Sequence, residues 1–400
     1  MLFEIFIIIF MGMLVGTLTG LIPGIHINLV ALLLFIYSPF FLRYTTPIIL
    51  AVFIVAMTIT HTFLDFLPGI FLGAPEESTA LSVLPGHSLL LEGKGYEAIS
   101  LTTIGAYLGT ILLVPFTFIG IFLIPRVYDL ISSFIPHILI LSIAFLISKE
   151  IKGQKIASFA FFLTAGIMGA LSLNFYTVKE PLFPLLTGLF GTSMILGSIV
   201  KKTSVPEQYV NKPNFDKKEL WSAAKSSLIS GPLCSFLPGL GASQAAVIGS
   251  SLSKEITRRS FLILTGILGT LVAGLNFVAL YAIDKPRSGV AVIVGKLVTL
   301  NINSLAILIS TMLFVGSVSV FLSLFFAKIF AENVSRINYQ KLSFAILAML
   351  ILLSWIISGP YSVIVLATAT SLGILASEYG VKKMYLMGSL ILPTILYFLL

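Results

Sequence analysis

The 400-residue chain is 58% hydrophobic and only 10% charged, whereas soluble domains average about 45–50% apolar and about 25% charged residues, so a soluble enzyme is excluded. A mean hydropathy of +1.08 runs along the whole chain, and one anchoring helix could not produce it; the composition requires an all-α polytopic protein of the cell membrane. The net charge of +8 would suit nucleic acid, but the basic residues sit in short clusters between apolar runs, as in cytoplasmic loops, and no nucleic-acid partner is expected.

The first apolar stretch carries Glu4 in place of a basic leader region, so it reads as a retained helix. It runs into Gly20-Leu-Ile-Pro23-Gly24-Ile-His26. Proline lacks an amide hydrogen and glycine tolerates positive φ, so the pair breaks a helix. His61 and Asp65 follow, four apart and on one helical face; they suit either a structural pair or a proton relay. Next comes Gly73-Ala-Pro75-Glu76-Glu77-Ser78-Thr79, a proline break before a helix-competent stretch. There the amides of a helix N-terminus and the hydroxyls of Ser78 and Thr79 would suit an anion. Glu76 and Glu77 complement the helix end at the membrane surface, or lie inside the membrane and take a coupling cation or proton.

A membrane-crossing helix needs about 20 apolar residues. Segments bracketed by charge occur at 98–124, 130–147, 156–173, 182–200, 261–283, 303–326, 342–357, 361–377 and 384–400. The most polar stretch, 201–220, holds five lysines and two prolines and divides the chain into a first membrane repeat, 1–200, and a second, 221–400. Its lysines place it on the cytoplasmic side.

The two halves echo each other. Pro23-Gly24 returns as Pro238-Gly239, 215 positions later, and Pro75 is followed at 211 positions by Pro286, in Asp284-Lys285-Pro286-Arg287-Ser288-Gly289. Asn276 stands at the position echoing Asp65. In lipid a broken helix exposes backbone groups that protein or a watery cavity must satisfy, and paired breaks in two halves point to a transporter site at the repeat interface. The expectation is therefore two repeats with Pro/Gly-broken re-entrant helices. Substrate contacts would come from Pro23, Gly24, His26, Asn28, Gly73, Pro75, Ser78, Thr79, Pro238, Gly239, Ser243, Gln244, Lys285 and Arg287. Asp65, Glu76 and Glu77 would take the coupling ion, sodium or a proton. The alternative for each polar residue is interhelical hydrogen bonding or a surface loop.

Cys234 is the only cysteine, which leaves no intrachain disulfide and no cysteine zinc site. No HExxH, GxSxG, Walker A or GxGxxG pattern is present, and no catalytic residue, metal or cofactor is expected.

The first-half motifs, Gly20-Leu-Ile-Pro-Gly-Ile and the run from Gly73 through the Lys94-Gly95 turn to Ala98, resemble the large membrane subunit of the tripartite tricarboxylate transporters, the TctA family. The resemblance is strong over 20–98 and moderate over 231–253. It implies a cation-coupled secondary transporter for carboxylates with Pro23, Gly24, Gly73, Pro75, Glu77, Pro238 and Gly239 in the substrate region. A small membrane subunit and an extracytoplasmic binding protein are usual partners in that family, possible here but not assumed. Glu76 stands where the family has glycine, and Asp284-Lys-Pro-Arg-Ser replaces a second Pro-Gly motif. Two alternatives remain open at this point: transport of a polyprenyl phosphate, a lipid carrier whose head would suit Lys285 and Arg287, and an intramembrane hydrolase or lipid transferase.

Overall fold

The computed structural model describes residues 2–399 apart from 23–26, 74–78, 80–81, 201–204, 212–214, 237–241, 253–255, 287 and 337. Eighteen α-helices are described, and among the described residues there is no strand. Among the described residues, seven helical stretches are long and apolar enough to cross a membrane: Phe3–Leu21, Pro47–Leu72, Gly95–Tyr128, Lys152–Leu173, Arg258–Ile283, Ile302–Val334 and Gln340–Ser358. The protein is a multi-pass membrane protein, as its composition requires.

In chain order, α1 (Leu2–Leu21) and α2 (Ile27–Ile36) flank the first Pro-Gly pair, and the short α3 (Ser38–Phe41) leads to α4 (Pro47–Leu64). A π-helical turn, Pro68–Leu72, extends α4 and stops at Gly73, whose φ of 69° is a left-handed cap that glycine adopts without strain. Then follow α5 (Val83–Leu91), α6 (Gly95–Ile131), α7 (Ile135–Ser148) and α8 (Lys152–Leu173). After them, α9 (Leu182–Leu186) continues through a second π-helical turn, Thr187–Thr192, into α10 (Ser193–Val200). The second half comprises α11 (Lys217–Phe236), α12 (Ala242–Leu252), α13 (Arg258–Ile283), α14 (Gly289–Leu297), α15 (Ile302–Val334), α16 (Tyr339–Ser358), α17 (Ser362–Glu378) and α18 (Gly388–Leu399), the last preceded by a 3₁₀ turn at Lys383–Met387.

Lipid tails are as apolar as leucine, so membrane helices associate by close backbone approach at small residues rather than by expelling water. On α1, Gly12, Gly16 and Gly20 form one stripe against α4: a Cβ on Gly12 would lie 2.6 Å from the Phe53 carbonyl oxygen, and one on Gly20 would lie 2.9 Å from Leu64 Cβ. The matches rise together along both helices, so α1 and α4 run in the same direction. Gly105 and Gly109 of α6 meet the carbonyls of Ile263 and Ile267 on α13, and Thr270 donates across the contact to the Ala106 carbonyl at 2.7 Å. These helices also run parallel. By contrast α15 is antiparallel to α6, with Ser323 Oγ 2.7 Å from Thr103 and Gly316 against Thr110. It is parallel to α4, where Ser323 approaches the Phe63 carbonyl and Phe330 meets Phe71. Hence α4 and α15 cross one way and α6 and α13 the other.

The ends shared by the starts of α6, α11 and α13 are tied by ion pairs. Arg259 bonds Glu219 at 2.9 Å and also Glu97, while Arg258 bonds Glu92 at 2.8 Å. The segment before α11 joins this face: Gln208 accepts from the Gly95 amide at 2.8 Å, and the Tyr209 amide donates to the Gly93 carbonyl. Following the helices from end to end places Lys94, Lys149, Lys152, Lys217, Lys218, Arg258, Arg259, Arg336, Lys341 and Lys382 on this face. The other face carries Arg43, Arg126, Lys179, Lys285 and Lys296. The positive-inside rule makes the richer face cytoplasmic.

Candidate functional site

The end of α1 lies inside the protein. The last turn of α1 packs on His61 and Leu64, well within the Pro47–Leu72 span. Immediately after the break, on the first turn of α2, Asn28 Oδ1 accepts the Val290 amide hydrogen at 3.1 Å. Val290 belongs to the first turn of α14, whose N-cap Ser288 accepts from the Ala291 amide at 3.2 Å. Farther along, Lys296 of α14 stands 5.6 Å over the Phe35 ring of α2. The two helices therefore run side by side in the same direction, and their N-termini meet in the interior. Each N-terminus presents amides without intrahelical partners and about half a positive charge, so the junction is suited to an anion.

This contact joins two features the sequence had flagged separately, the segment after Pro23-Gly24 and the segment 284–289. A Cβ on Gly289 would fall 2.8 Å from Asn28 Cγ, so glycine is what admits the asparagine. Asp284, in the left-handed region at φ 52°, turns the chain out of α13 toward α14. Lys285 is exposed, with its ammonium 4.6 Å from the centre of the Tyr128 ring and 3.3 Å from the Tyr128 hydroxyl, on α6.

The remaining flagged residues fall in three groups. Gly73 and Thr79 are buried before α5, and the Thr79 carbonyl accepts both the amide and the hydroxyl of Ser82 in the turn that leads into the helix. Asp65 is 2% exposed and caps α4, its amide bonded to the His61 carbonyl at 2.9 Å, while His61 Nδ1 lies 3.1 Å from the Thr19 hydroxyl of α1. Asn276, its echo on α13, is also buried. Ser243 and Gln244 stand in the first turn of α12, with their side chains outside the described set. Pro23, Gly24, His26, Pro75, Glu76, Glu77, Ser78, Pro238, Gly239 and Arg287 lie outside the described residues.

Two buried polar groups were not singled out by the sequence. His87 of α5 places Nδ1 3.1 Å from the Ile70 carbonyl, pinning the short helix to the first π-helical turn. π-helical turns interrupt α-helices frequently at functional sites. Lys383 is 7% exposed and donates to the Ser193 hydroxyl at 2.9 Å, beside the Thr192–Thr370 hydroxyl pair. Its neighbour Lys382 lies at the surface on Glu150. The doublet offers no pattern by which one lysine could be told from the other.

A bundle of apolar helices whose interior holds converging helix N-termini is the architecture of a membrane transporter, and the comparisons with known proteins agree. The family described as the tripartite tricarboxylate transporter TctA family matches residues 6–388, and the chain belongs to that family. It is similar to a protein of Methanocaldococcus jannaschii described as uncharacterized protein MJ1079, 32% identical over 400 residues that cover 97% of this chain and 98% of the relative. No solved structure matches the chain.

Proposed function

We propose that this protein is the permease of a secondary-active transport system for an organic anion, a di- or tricarboxylate, held between the re-entrant segments of two inverted repeats and driven by sodium or protons. The observation that carries the reading is the meeting of the α2 and α14 N-termini at Asn28 and Val290, which brings the positive ends of two helix dipoles together inside the protein rather than at its surface. Family membership supports the carboxylate class.

The order of elements supports the repeat. Each half opens with a 20-residue helix, α1 or α11, before a Pro-Gly pair. A short helix follows, then a long helix, α4 or α13, then a nine-residue helix, α5 or α14, and then the longest helix of that half, α6 or α15. The directions support inversion. Parallel pairs α1 with α4 and α11 with α13 correspond, yet α1 starts on the outer face and α11 on the cytoplasmic one. By this correspondence Ser243 is the counterpart of Asn28, standing in the first turn of α12 as Asn28 stands in the first turn of α2. Two half-sites of this kind would bracket one substrate, with Gly73, Ser78 and Thr79 at the second.

For coupling, Asp65 is the strongest of the three acids. A buried carboxylate within a membrane span is costly and marks an ion or proton path. Glu76 and Glu77 are its alternates at the second half-site. A small membrane subunit and an extracytoplasmic binding protein are the partners the family suggests.

The test is uptake of labelled citrate and succinate into proteoliposomes under an inward sodium or proton gradient. Gradient-dependent accumulation, abolished in Asn28→Asp while thermal stability is kept, is the expected result. Failure of every carboxylate both to accumulate and to stabilise the protein against heat would overturn the substrate class, and full uptake by Asn28→Asp would overturn the site.

A further inference from the structure

A crevice of about 610 Å³ lies at the protein surface between α7, α8 and α18, and none of its lining belongs to the helices that form the proposed transport site. Ile140, Ile143 and Ile147 of α7, Phe159 of α8 and Leu392 of α18 make its walls. Two polar residues, Ser148 and Lys155, stand at one end. That end is the cytoplasmic one, where the α7–α8 turn also carries Lys149 and Lys152.

We propose that the crevice is a binding site for one anionic phospholipid of the cytoplasmic leaflet, with an acyl chain along the isoleucines and the phosphate at Lys155. Three observations specify this occupant. The first is length: from Ser148 down to Ile140 the wall descends roughly 12 Å at 1.5 Å per residue, most of one leaflet's share of a hydrocarbon core about 30 Å thick. The second is charge. The acid of the turn, Glu150, is already engaged by Lys382 at 2.6 Å and by the Tyr385 hydroxyl at 2.9 Å. Lys155 is half-buried, and among the described residues it has no carboxylate partner. The third is shape: Phe162 and Ile395, 4% and 5% exposed, close the floor, so the crevice is a groove in the protein surface and not a gap through it. Basic residues at the cytoplasmic membrane surface select anionic headgroups, and here the groove adds a fixed place for the chain.

The experiment is native mass spectrometry of the detergent-purified protein titrated with phosphatidylglycerol or phosphatidylcholine, on the wild type, Lys155→Gln and Ile143→Trp. One tight phosphatidylglycerol adduct is expected on the wild type, with phosphatidylcholine weaker. Lys155→Gln should lower the phosphatidylglycerol affinity about fivefold, the worth of one basic residue at an anionic surface, and Ile143→Trp should remove the adduct by filling the groove. Melting temperatures of both variants without lipid, unchanged from wild type, exclude misfolding as the cause; should Ile143→Trp melt early, Ile140→Trp replaces it. Equal binding of the two lipids, or adducts that survive both variants, would overturn the proposal. So would a wild-type dimer without lipid that Ile143→Trp dissociates, because a second copy would then occupy the groove.

Discussion

Asn28 and Val290, 262 positions apart in the chain, share a hydrogen bond of 3.1 Å that joins the first turn of α2 to the first turn of α14. The asparagine acts as a cap supplied by another helix, taking an amide that α14 cannot satisfy itself. Replacing a capping side chain by alanine costs about 0.5–2 kcal/mol. Asn28→Ala should therefore lower thermal stability within that range. Asn28→Asp retains an acceptor and adds a favourable charge at two helix N-termini, so it should melt at or above the wild type while repelling an anionic substrate. Thermal unfolding beside a citrate-binding titration checks both, and an Asn28→Asp protein that binds citrate normally would remove the junction from the substrate path.

Glycine stripes set how closely the helices approach. A Cβ on Gly109 would meet the Thr270 hydroxyl and the Ile267 carbonyl, the latter a backbone group that cannot swing aside. Overpacking a tight contact costs about 1–3 kcal/mol, and occasionally more; Gly109→Leu, which must part α6 from α13, should fall at the high end or fail to fold. Gly153 has nothing within 4 Å of its would-be Cβ. There Gly153→Ala should stabilise α8 by up to about 1 kcal/mol, by narrowing the unfolded ensemble. The reverse order of melting temperatures in the two variants would show that these helices do not meet at their glycines.

How much of this was legible beforehand depended on charge. Spans bracketed by charged residues, such as 156–173 and 261–283, coincide with α8 and α13 at their C-terminal ends and start within four residues of them. The Pro47–Leu72 span was not, because the charge that follows Arg43 is Asp65, inside the helix and buried rather than at its end. The helix α6 runs on to Ile131 past Pro125, Arg126 and Asp129, where charge had suggested an end near 124. Asn28 and the 284–289 segment were each flagged, but sequence spacing cannot report that first-half and second-half elements exchange partners. The glycine contacts of α6 with α13 are a second such exchange. Lys383 stayed invisible because its burial depends on the turn before α18 and not on its neighbours in sequence.

Arg259 links three helix starts, bonding Glu219 of α11 at 2.9 Å and Glu97 of α6 from its own place on α13. Its loss leaves two partly buried carboxylates facing each other. Breaking a fully buried pair costs about 3–5 kcal/mol; with side chains 13–28% exposed, about half of that is expected for Arg259→Ala. Adding Glu219→Gln to Arg259→Ala should recover part of the loss, because the stranded charge is removed. A double variant that melts lower than Arg259→Ala alone would contradict this account.

Glu92, in the turn between α5 and α6, is held below the ordinary carboxylate range, chiefly by the hydrogen bond from Arg258. The lowered value means that its contribution is complete above the unfolded carboxylate value of about 4.3 and is lost as the pH falls through the folded one. The wild type and Glu92→Gln should therefore differ modestly at neutral pH, as for any exposed pair, and converge on acidification below about pH 4. A difference that widens in acid would mean that Arg258 is not what holds Glu92.

The inverted arrangement makes a prediction about sides that no stability measurement can imitate. If α11 starts on the cytoplasmic face and α13 ends on the outer one, then Lys218 and Lys285, both exposed, lie on opposite sides of the membrane. Parallel repeats would instead put the starts of α1 and α11 on the same side. In a Cys234→Ser background, which removes the only native thiol, single cysteines at the two positions can be probed in intact cells with a membrane-impermeant maleimide. Lys285→Cys should label from outside, and Lys218→Cys only after the cells are opened. Labelling of both from outside would be incompatible with α13 crossing the membrane between them, and the assignment of the two half-sites to opposed repeats would fall with it.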